Sequence, residues 1–80
     1  RRPPRMRRVG EVVRTAQGLA VIRASDESHP DLGVEVLNSE LAVVGRVVDV
    51  FGPVERPYIA VSPAADTELP MLLGEKLYAR

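Results

Sequence analysis

The 80-residue sequence has no cysteine, no tryptophan and a single histidine, His29. The lack of cysteine excludes disulfides, thiolate metal sites and a Cys–His catalytic pair. A Ser–His–Asp arrangement would need His29 as its base, but this residue precedes Pro30 in a polar loop, where a solvated histidine is the usual outcome. The sequence contains neither a glycine-rich phosphate loop nor metal-ligand spacing. We therefore expect no catalytic residues, no cofactor and no metal.

Long hydrophobic runs are also missing. No apolar stretch approaches the ~20 residues that cross a bilayer, and no signal-peptide pattern is present, so we expect a soluble intracellular protein without a membrane partner. The formal net charge is zero, but the charges are unevenly distributed. Arg1–Arg8 contains five arginines and no acid, which leaves six basic and eleven acidic residues, a charge of −5, in the remainder. A basic tail on an acidic body is the opposite of a domain whose folded face binds nucleic acid.

The segment Arg1–Arg8 contains two adjacent prolines and has no hydrophobic periodicity, so we expect a flexible arm there. Two interpretations of this arm stay open. In the first, it is a solvated terminus. In the second, its arginines contact RNA phosphates, and the residues concerned are Arg1, Arg2, Arg5, Arg7 and Arg8.

The remaining residues, 9–80, are rich in valine, leucine, isoleucine and alanine and contain prolines and glycines that suit tight corners. Branched aliphatic residues favour extended backbone, and short runs of them separated by turn formers predict an all-β domain. The predicted strands are Val9–Thr15, Gly18–Ala24, Val34–Leu37, Ala42–Phe51, Tyr58–Ser62 and Lys76–Ala79. We expect loop over Pro63–Leu72, with one helical turn around Asp66-Thr67-Glu68 as the less favoured alternative. Six short strands in one small domain indicate a six-stranded β-barrel.

A short sequence repeat lies within this pattern. Residues 9–13 (VGEVV) recur 35 residues later as 44–48 (VGRVV). A glycine inside a strand loses packing, so Gly10 and Gly45 predict a sharp bend or a close approach of backbone at a barrel corner. Two equivalent corners would fit a pseudo-symmetric barrel. Chance similarity in a valine-rich chain is the alternative.

The longest predicted strand, Ala42–Phe51, carries one charge on each face and is otherwise apolar on both. A barrel strand with one solvent-exposed face should carry polar residues at every second position. Either a loop of the domain or a partner must therefore cover the outer face, and we favour a partner because so short a chain has few spare segments. The corner that follows, 51–58 (FGPVERPY), is stiffened by two prolines.

Two side chains at this corner have roles that the pattern suggests. Tyr58 should point outward beside Pro57, as a binding anchor with an apolar ring and a polar tip, unless it packs over its own loop. Asp49 is the one acid in an apolar strand, and we expect it to accept hydrogen bonds from the backbone amides of the Gly52 corner and so to brace it. A catalytic role for Asp49 would need a polarised partner and a cleft, and the sequence shows neither.

Residues 44–54 (VGRVVDVFGPV), then Pro57-Tyr58 and later 74–78 (GEKLY), closely resemble the core domain of the Gar-type protein of H/ACA ribonucleoproteins. These particles convert chosen uridines of ribosomal and other RNAs to pseudouridine. The resemblance implies a six-stranded β-barrel of the translation-factor/reductase-isomerase type. It also implies a non-catalytic subunit that docks on the dyskerin-like pseudouridine synthase and assists the loading and release of substrate, with mostly indirect contact to guide RNA.

Carried onto this chain, the resemblance assigns synthase binding to Val47, Phe51, Gly52, Pro53, Val54, Pro57 and Tyr58. The chain has no Arg-Gly-Gly repeats, which is typical of an archaeal form; we accordingly expect a cytoplasmic protein, or a nucleolar one in a eukaryote. The alternative function is that of a direct RNA-binding barrel that uses the arginine-rich arm.

Overall fold

Six β-strands close into a barrel in the computed structural model, which describes residues 7–25, 27 and 29–79. The strands are β1 (Arg7–Ala16), β2 (Leu19–Ala24), β3 (Glu35–Leu37), β4 (Val43–Phe51), β5 (Tyr58–Pro63) and β6 (Lys76–Ala79). Around the barrel they follow the order β1-β2-β5-β4-β3-β6, and every neighbouring pair is antiparallel. The predicted all-β class and six-stranded barrel are confirmed.

The observed strands begin and end within two residues of the predicted ones, but two expectations are corrected. The sequence predicts a flexible arm through residue 8, whereas Arg7 and Arg8 pair with Ala79 and Tyr78 as the first residues of β1. The predicted loop before β6 contains a 3₁₀ helix, Leu69–Leu72. The rest of the arm, residues 1–6, lies outside the described residues.

Aliphatic side chains fill the barrel, and its interior cluster contains no aromatic residue among those that the structure describes. The cluster comprises Val9, Val12, Ala20, Ile22, Ala24, Val36, Val44, Val47, Ile59, Val61, Leu72, Leu77 and Ala79. Most of these residues alternate along the strands, because successive side chains of a strand point to opposite faces. Leu72 comes instead from the 3₁₀ helix and is 6% exposed. Burying this apolar surface is the main source of stability, at about 25 cal/mol per Å².

The sequence repeat is a structural repeat. A Cβ added at Gly10 would clash with the backbone carbonyl of Arg23, and a Cβ added at Gly45 would clash with that of Ser62. Gly10 is on β1 beside β2, and Gly45 is on β4 beside β5, so the same close approach occurs once in each half of the barrel. The predicted role of both glycines is confirmed.

The two halves also share their irregularities. The register shifts after Val12 where β1 pairs with β2, and after Val47 where β4 pairs with β5. The amide of Gly74 donates to the carbonyl of Val12 at 2.9 Å, and that of Gly33 donates to the carbonyl of Val47 at 2.8 Å. Equivalent bulges, glycines and hydrogen bonds show that the barrel has a pseudo-twofold arrangement.

The bulge in β4 changes which side chains share a face. Strict alternation along the predicted strand would place Val44, Val48 and Val50 on one face, but Val48 is the extra residue of the bulge and is 43% exposed. Val50 beyond the bulge packs against the core. Strict alternation is therefore wrong for this strand, because a bulge inserts one residue and reverses the faces after it. Apolar side chains still lie on the outside, with Val43 at 40% and Phe51 at 41% exposure.

Candidate functional site

The corner between β4 and β5 is held by hydrogen bonds to its own backbone and to the end of β2. The amide of Arg56 donates to the carbonyl of Pro53 at 3.2 Å and closes a turn. The Nε of the same arginine donates to the carbonyl of Ala24 at 2.9 Å. In return, the amide of Ala24 donates to the carbonyl of Pro57 at 2.9 Å. Together with its two prolines, these contacts give the corner a fixed shape before any partner binds.

Two aromatic rings close the base of the corner. Phe51 at the end of β4 and Tyr58 at the start of β5 are stacked, with their centroids 5.6 Å apart and their planes 22° from parallel. Gly52 follows Phe51 with φ of 91°, a left-handed conformation that favours glycine. A Cβ at this position would also lie 2.9 Å from Cδ2 of Tyr58. Position 52 therefore needs glycine both for its backbone and for the ring beside it.

Two arginines from neighbouring strands surround the ring of Tyr58. Arg23 of β2 donates from a terminal guanidinium nitrogen to the Tyr58 hydroxyl at 2.9 Å, and its Cζ lies 4.8 Å from the ring centroid. The Cζ of Arg14, on β1, lies 5.9 Å from the same centroid. Of the two interpretations of Tyr58, the structure shows the one in which the ring packs over its own corner. The ring is half-buried and its hydroxyl is already bonded.

The most exposed apolar side chain at the corner is Val54, at 81% exposure. Phe51 and Val48 on β4 are also exposed, and Val13 is exposed at the equivalent bulge of β1, on a strand that does not neighbour β4. Exposed apolar side chains at a rigid loop, such as Val54 and Phe51, are typical of a surface that another macromolecule covers.

The domain itself covers the middle of this sheet. Val21 and Ala60 pair with each other at the centre of the β2–β5 ladder and alternate with core residues, so they face outward. They are nevertheless only 5% and 3% exposed. The centre of the β2–β5 ladder is therefore covered within the domain, whereas apolar side chains of β4 and the corner are exposed, and the expected partner for that face stays a prediction.

The residues to which the family resemblance assigns synthase binding lie in different environments. Gly52, Pro53 and Val54 are exposed, and Phe51 is partly so. Val47 is 1% exposed in the core, and Pro57 is buried. The expected direct contacts of Val47 and Pro57 with the synthase are therefore corrected. The Val47 side chain fills the barrel, and the Pro57 side chain is buried at the base of the corner.

Asp49, which the sequence predicts to brace the Gly52 corner, accepts its hydrogen bond elsewhere. Oδ1 of Asp49 accepts a hydrogen bond from the amide of Val50 at 2.9 Å, and no bond from the Gly52 corner is found among the described residues. Asp49 directly follows the extra residue of the β4 bulge, so its carboxylate caps the bulge. The expected contact to Gly52 is wrong, because the bulge turns this side chain toward the next residue in its own strand.

The sequence pattern gave no indication of Arg14 and Arg23. Each is an isolated basic residue in a strand, as surface strands commonly have, and no local signal connects either to Tyr58. Both arginines reach Tyr58 because β2 pairs with β1 on one side and with β5 on the other. This pairing brings Arg23 next to Tyr58, 35 positions later in the sequence. Of the predicted RNA-contacting residues, Arg7 and Arg8 are exposed, whereas Arg1, Arg2 and Arg5 lie outside the described residues.

Within residues 7–25, 27 and 29–79, no group of three or more His, Cys, Asp or Glu side chains is placed to hold a metal ion. His29 is exposed, and its Nδ1 lies 3.1 Å from the carbonyl oxygen of Pro30. The same described ranges contain no helix that is long and apolar enough to span a bilayer.

Comparison with known proteins identifies the family. The sequence profile described as "Gar1/Naf1 RNA binding region" matches residues 6–80. The chain belongs to the Gar1/Naf1 family. The resemblance to a Gar-type H/ACA protein is thereby confirmed, and membership of the Gar1/Naf1 family indicates a role associated with H/ACA ribonucleoproteins.

The chain is also similar to a curated protein and to a solved structure. An uncharacterized protein of Methanothermobacter thermautotrophicus (strain Delta H) is 30% identical over 76 residues, which cover 91% of this chain and 82% of that protein. The solved structure of the Gar1 domain of Naf1 matches with a TM-score of 0.73 at 19% identity, covering 92% of this chain and 80% of the solved one. At this identity the structural match shows that the Gar1/Naf1 fold is shared.

Proposed function

We propose that this chain is a non-catalytic subunit of an H/ACA ribonucleoprotein that binds the dyskerin-like pseudouridine synthase through residues 51–58, the proline corner. Bound there, it promotes RNA-guided pseudouridylation of ribosomal RNA, a step of ribosome biogenesis, by assisting substrate loading and release. Family membership supports the particle, and the resemblance of residues 44–58 supports the partner. The observation that carries the docking site is Val54, which is 81% exposed at the tip of a corner that hydrogen bonds hold in place.

The energetics of the corner favour binding. Apolar area removed from water contributes about 25 cal/mol per Å². A flexible loop would lose part of that gain to ordering, whereas the turn closed by Pro53 and Arg56 is ordered already. A stable interface buries roughly 800 Å² on each partner, so the contact must extend from Val54 to Phe51 and Val48 on β4.

In this proposal the chemistry belongs to the partner. Pseudouridine synthesis uses an aspartate nucleophile, and the resemblance assigns that aspartate to the synthase. Asp49 of this chain is exposed, and its carboxylate accepts a hydrogen bond from the backbone of its own bulge. We therefore assign it a structural role.

The test is Val54→Glu, with affinity for the synthase as the readout. A carboxylate at the tip of the corner would be buried without a partner in the complex, so we expect at least about tenfold weaker binding. Because Val54 is exposed, the isolated fold should be unchanged by circular dichroism. Met71→Glu is the matched control: Met71 is 72% exposed on the 3₁₀ helix, away from the corner, and its substitution should leave binding intact. Wild-type affinity in Val54→Glu would show that the corner is not the interface.

A second candidate is direct RNA binding through the basic arm. Arg7 and Arg8 are exposed at the start of β1, and the family description names an RNA-binding region. Deleting residues 1–6 and replacing both arginines by glutamine should then weaken binding to guide RNA and flatten its salt dependence. If the variant still stimulates the synthase as the wild type does, the arm is dispensable for the proposed function. Deleting residues 7 and 8 as well would remove strand pairs with β6 and confuse the result.

A further inference from the structure

The guanidinium groups of Arg14 and Arg23 lie over one aromatic ring. Their Cζ atoms are 5.9 Å and 4.8 Å from the centroid of Tyr58, although the residues belong to different strands. The ring attracts each cation through its quadrupole. It does not remove the repulsion between the two positive charges. We call Arg14 and Arg23 the arginine pair.

The arginine pair has no counter-ion among the described residues. The one ion pair within those ranges joins Arg46 to Glu35 at 4.0 Å, elsewhere on the barrel. Glu11 is opposite Arg23 in the ladder between β1 and β2, yet no carboxylate oxygen of the described ranges approaches either guanidinium of the pair within 4.0 Å. An anion placed beside two unneutralised cations lowers their mutual repulsion.

Arg23 is held in place at a cost. One terminal nitrogen donates to the Tyr58 hydroxyl, while its Nε is buried without a hydrogen-bond partner. An unsatisfied buried donor destabilises a fold, so stability alone does not explain this arrangement. Arg14 is exposed and directly follows the β1 bulge. One guanidinium is therefore held by a hydrogen bond, and the other is exposed to solvent.

The surroundings distinguish between kinds of anion. Phe51 stacks on Tyr58, Val13 directly precedes Arg14 in the sequence, and Val54 is exposed in the loop that follows Phe51. The anion therefore has to arrive on a surface that also matches apolar groups. Tyr58 already has Phe51 and two guanidiniums against it and offers no free face on which an RNA base could stack. These contacts favour a protein carboxylate over a phosphate of RNA.

We infer that the docking partner places an aspartate or glutamate carboxylate against Arg14 and Arg23, beside the apolar contact of the corner. This inference rests on the proposed function and specifies the chemistry of the partner's surface: apolar, with an acidic side chain at its edge. A guanidinium and a carboxylate can form two parallel hydrogen bonds with each other. A charge pair at the edge of an apolar contact fixes the orientation of the two proteins.

The test replaces Arg14 by glutamine and measures affinity for the synthase over a range of salt concentrations. Arg14→Gln removes one charge and leaves the Arg23–Tyr58 hydrogen bond in place. We expect about tenfold weaker binding at low salt and a shallower salt dependence. Arg14→Lys keeps the charge and should recover part of the loss. Arg46→Gln removes the same charge from the same barrel away from the ring, so it should bind within about twofold of the wild type.

Each outcome separates the inference from the proposed function. If Arg14→Gln binds the synthase as tightly as the wild type, with the same salt dependence, the carboxylate contact is refuted and the docking of the corner stands. If the variant instead loses affinity for guide RNA alone, the anion is a phosphate and the inference is again refuted. Failure of the wild-type chain to bind the synthase would overturn the proposed function and this inference together.

Discussion

Gly52 touches the ring of Tyr58 so closely that a Cβ at position 52 would lie 2.9 Å from Cδ2 of that ring. The glycine also has φ of 91°. Gly52→Ala should therefore lower the free energy of unfolding by about 2–3 kcal/mol, the sum of a left-handed backbone cost and a shifted ring. Gly18→Ala is the matched control, because Gly18 has φ of 78° with open space around it. The difference in the free energy of unfolding between the two variants, measured by denaturant unfolding, isolates the contact with the ring. Equal losses would show that the Tyr58 ring moves aside without an energetic cost.

The glycines of the repeat should be far less tolerant. Gly10→Ala and Gly45→Ala each place a methyl group against a strand carbonyl, and backbone within a closed barrel cannot move aside as a side chain can. We expect each substitution to cost about 3 kcal/mol or more, with the larger loss at Gly10, whose φ of 154° also favours glycine. Thermal unfolding checks this. A small loss at either position would contradict the close backbone approach there.

A third prediction concerns Leu41, a non-glycine residue with φ of 68°. The side-chain oxygen of Asn38 accepts hydrogen bonds from the amides of Glu40 and Ala42 at 2.9 and 3.0 Å and holds this turn. The leucine side chain is 57% exposed and contributes little burial. Leu41→Gly should therefore stabilise the domain by up to about 1 kcal/mol, because glycine adopts this conformation without steric cost. A lower melting temperature in Leu41→Gly would mean that the exposed leucine makes a stabilising contact.

The hydroxyl of Tyr58 supports a fourth prediction. Tyr58→Phe keeps the stack on Phe51 but removes the acceptor for Arg23. Since the Nε of Arg23 already lacks a partner, losing the second contact should cost about 1–2 kcal/mol in the free energy of unfolding. Chemical denaturation measures the loss. An unchanged free energy of unfolding would indicate that water replaces the Tyr58 hydroxyl as the hydrogen-bond acceptor of Arg23 without loss.

The sequence was sufficient for the parts of the fold that depend on local pattern. Branched residues and turn formers predict the six strands. Gly10 and Gly45 predict close backbone approach, because a glycine inside a strand weakens it unless the missing side chain makes room for a neighbour. The bulges at Val13 and Val48 could not be predicted. Alternation of apolar residues does not show where an extra residue is inserted, and on β4 that insertion decides which valines are buried.

The sequence pattern selects the corner as the candidate site, but it does not predict the side-chain contacts that the structure shows there. The two prolines and the apolar strand point to residues 51–58, where the structure has an exposed Val54 on a fixed turn. Burial of Val47 and the hydrogen bond from Val50 to Asp49 both follow from the bulge, which the pattern does not reveal. The arginine pair depends on long-range strand register. Its members are 44 and 35 residues from Tyr58 in the sequence.

Docking through the proline corner is decided by whether the purified chain forms a 1:1 complex with the dyskerin-like synthase, measured by size-exclusion chromatography with light scattering. We predict a stable complex for the wild type and for Met71→Glu, and separate elution of the two proteins for Val54→Glu with its fold intact. Separate elution of the wild type, or a complex that Val54→Glu forms equally well, would contradict docking at this corner.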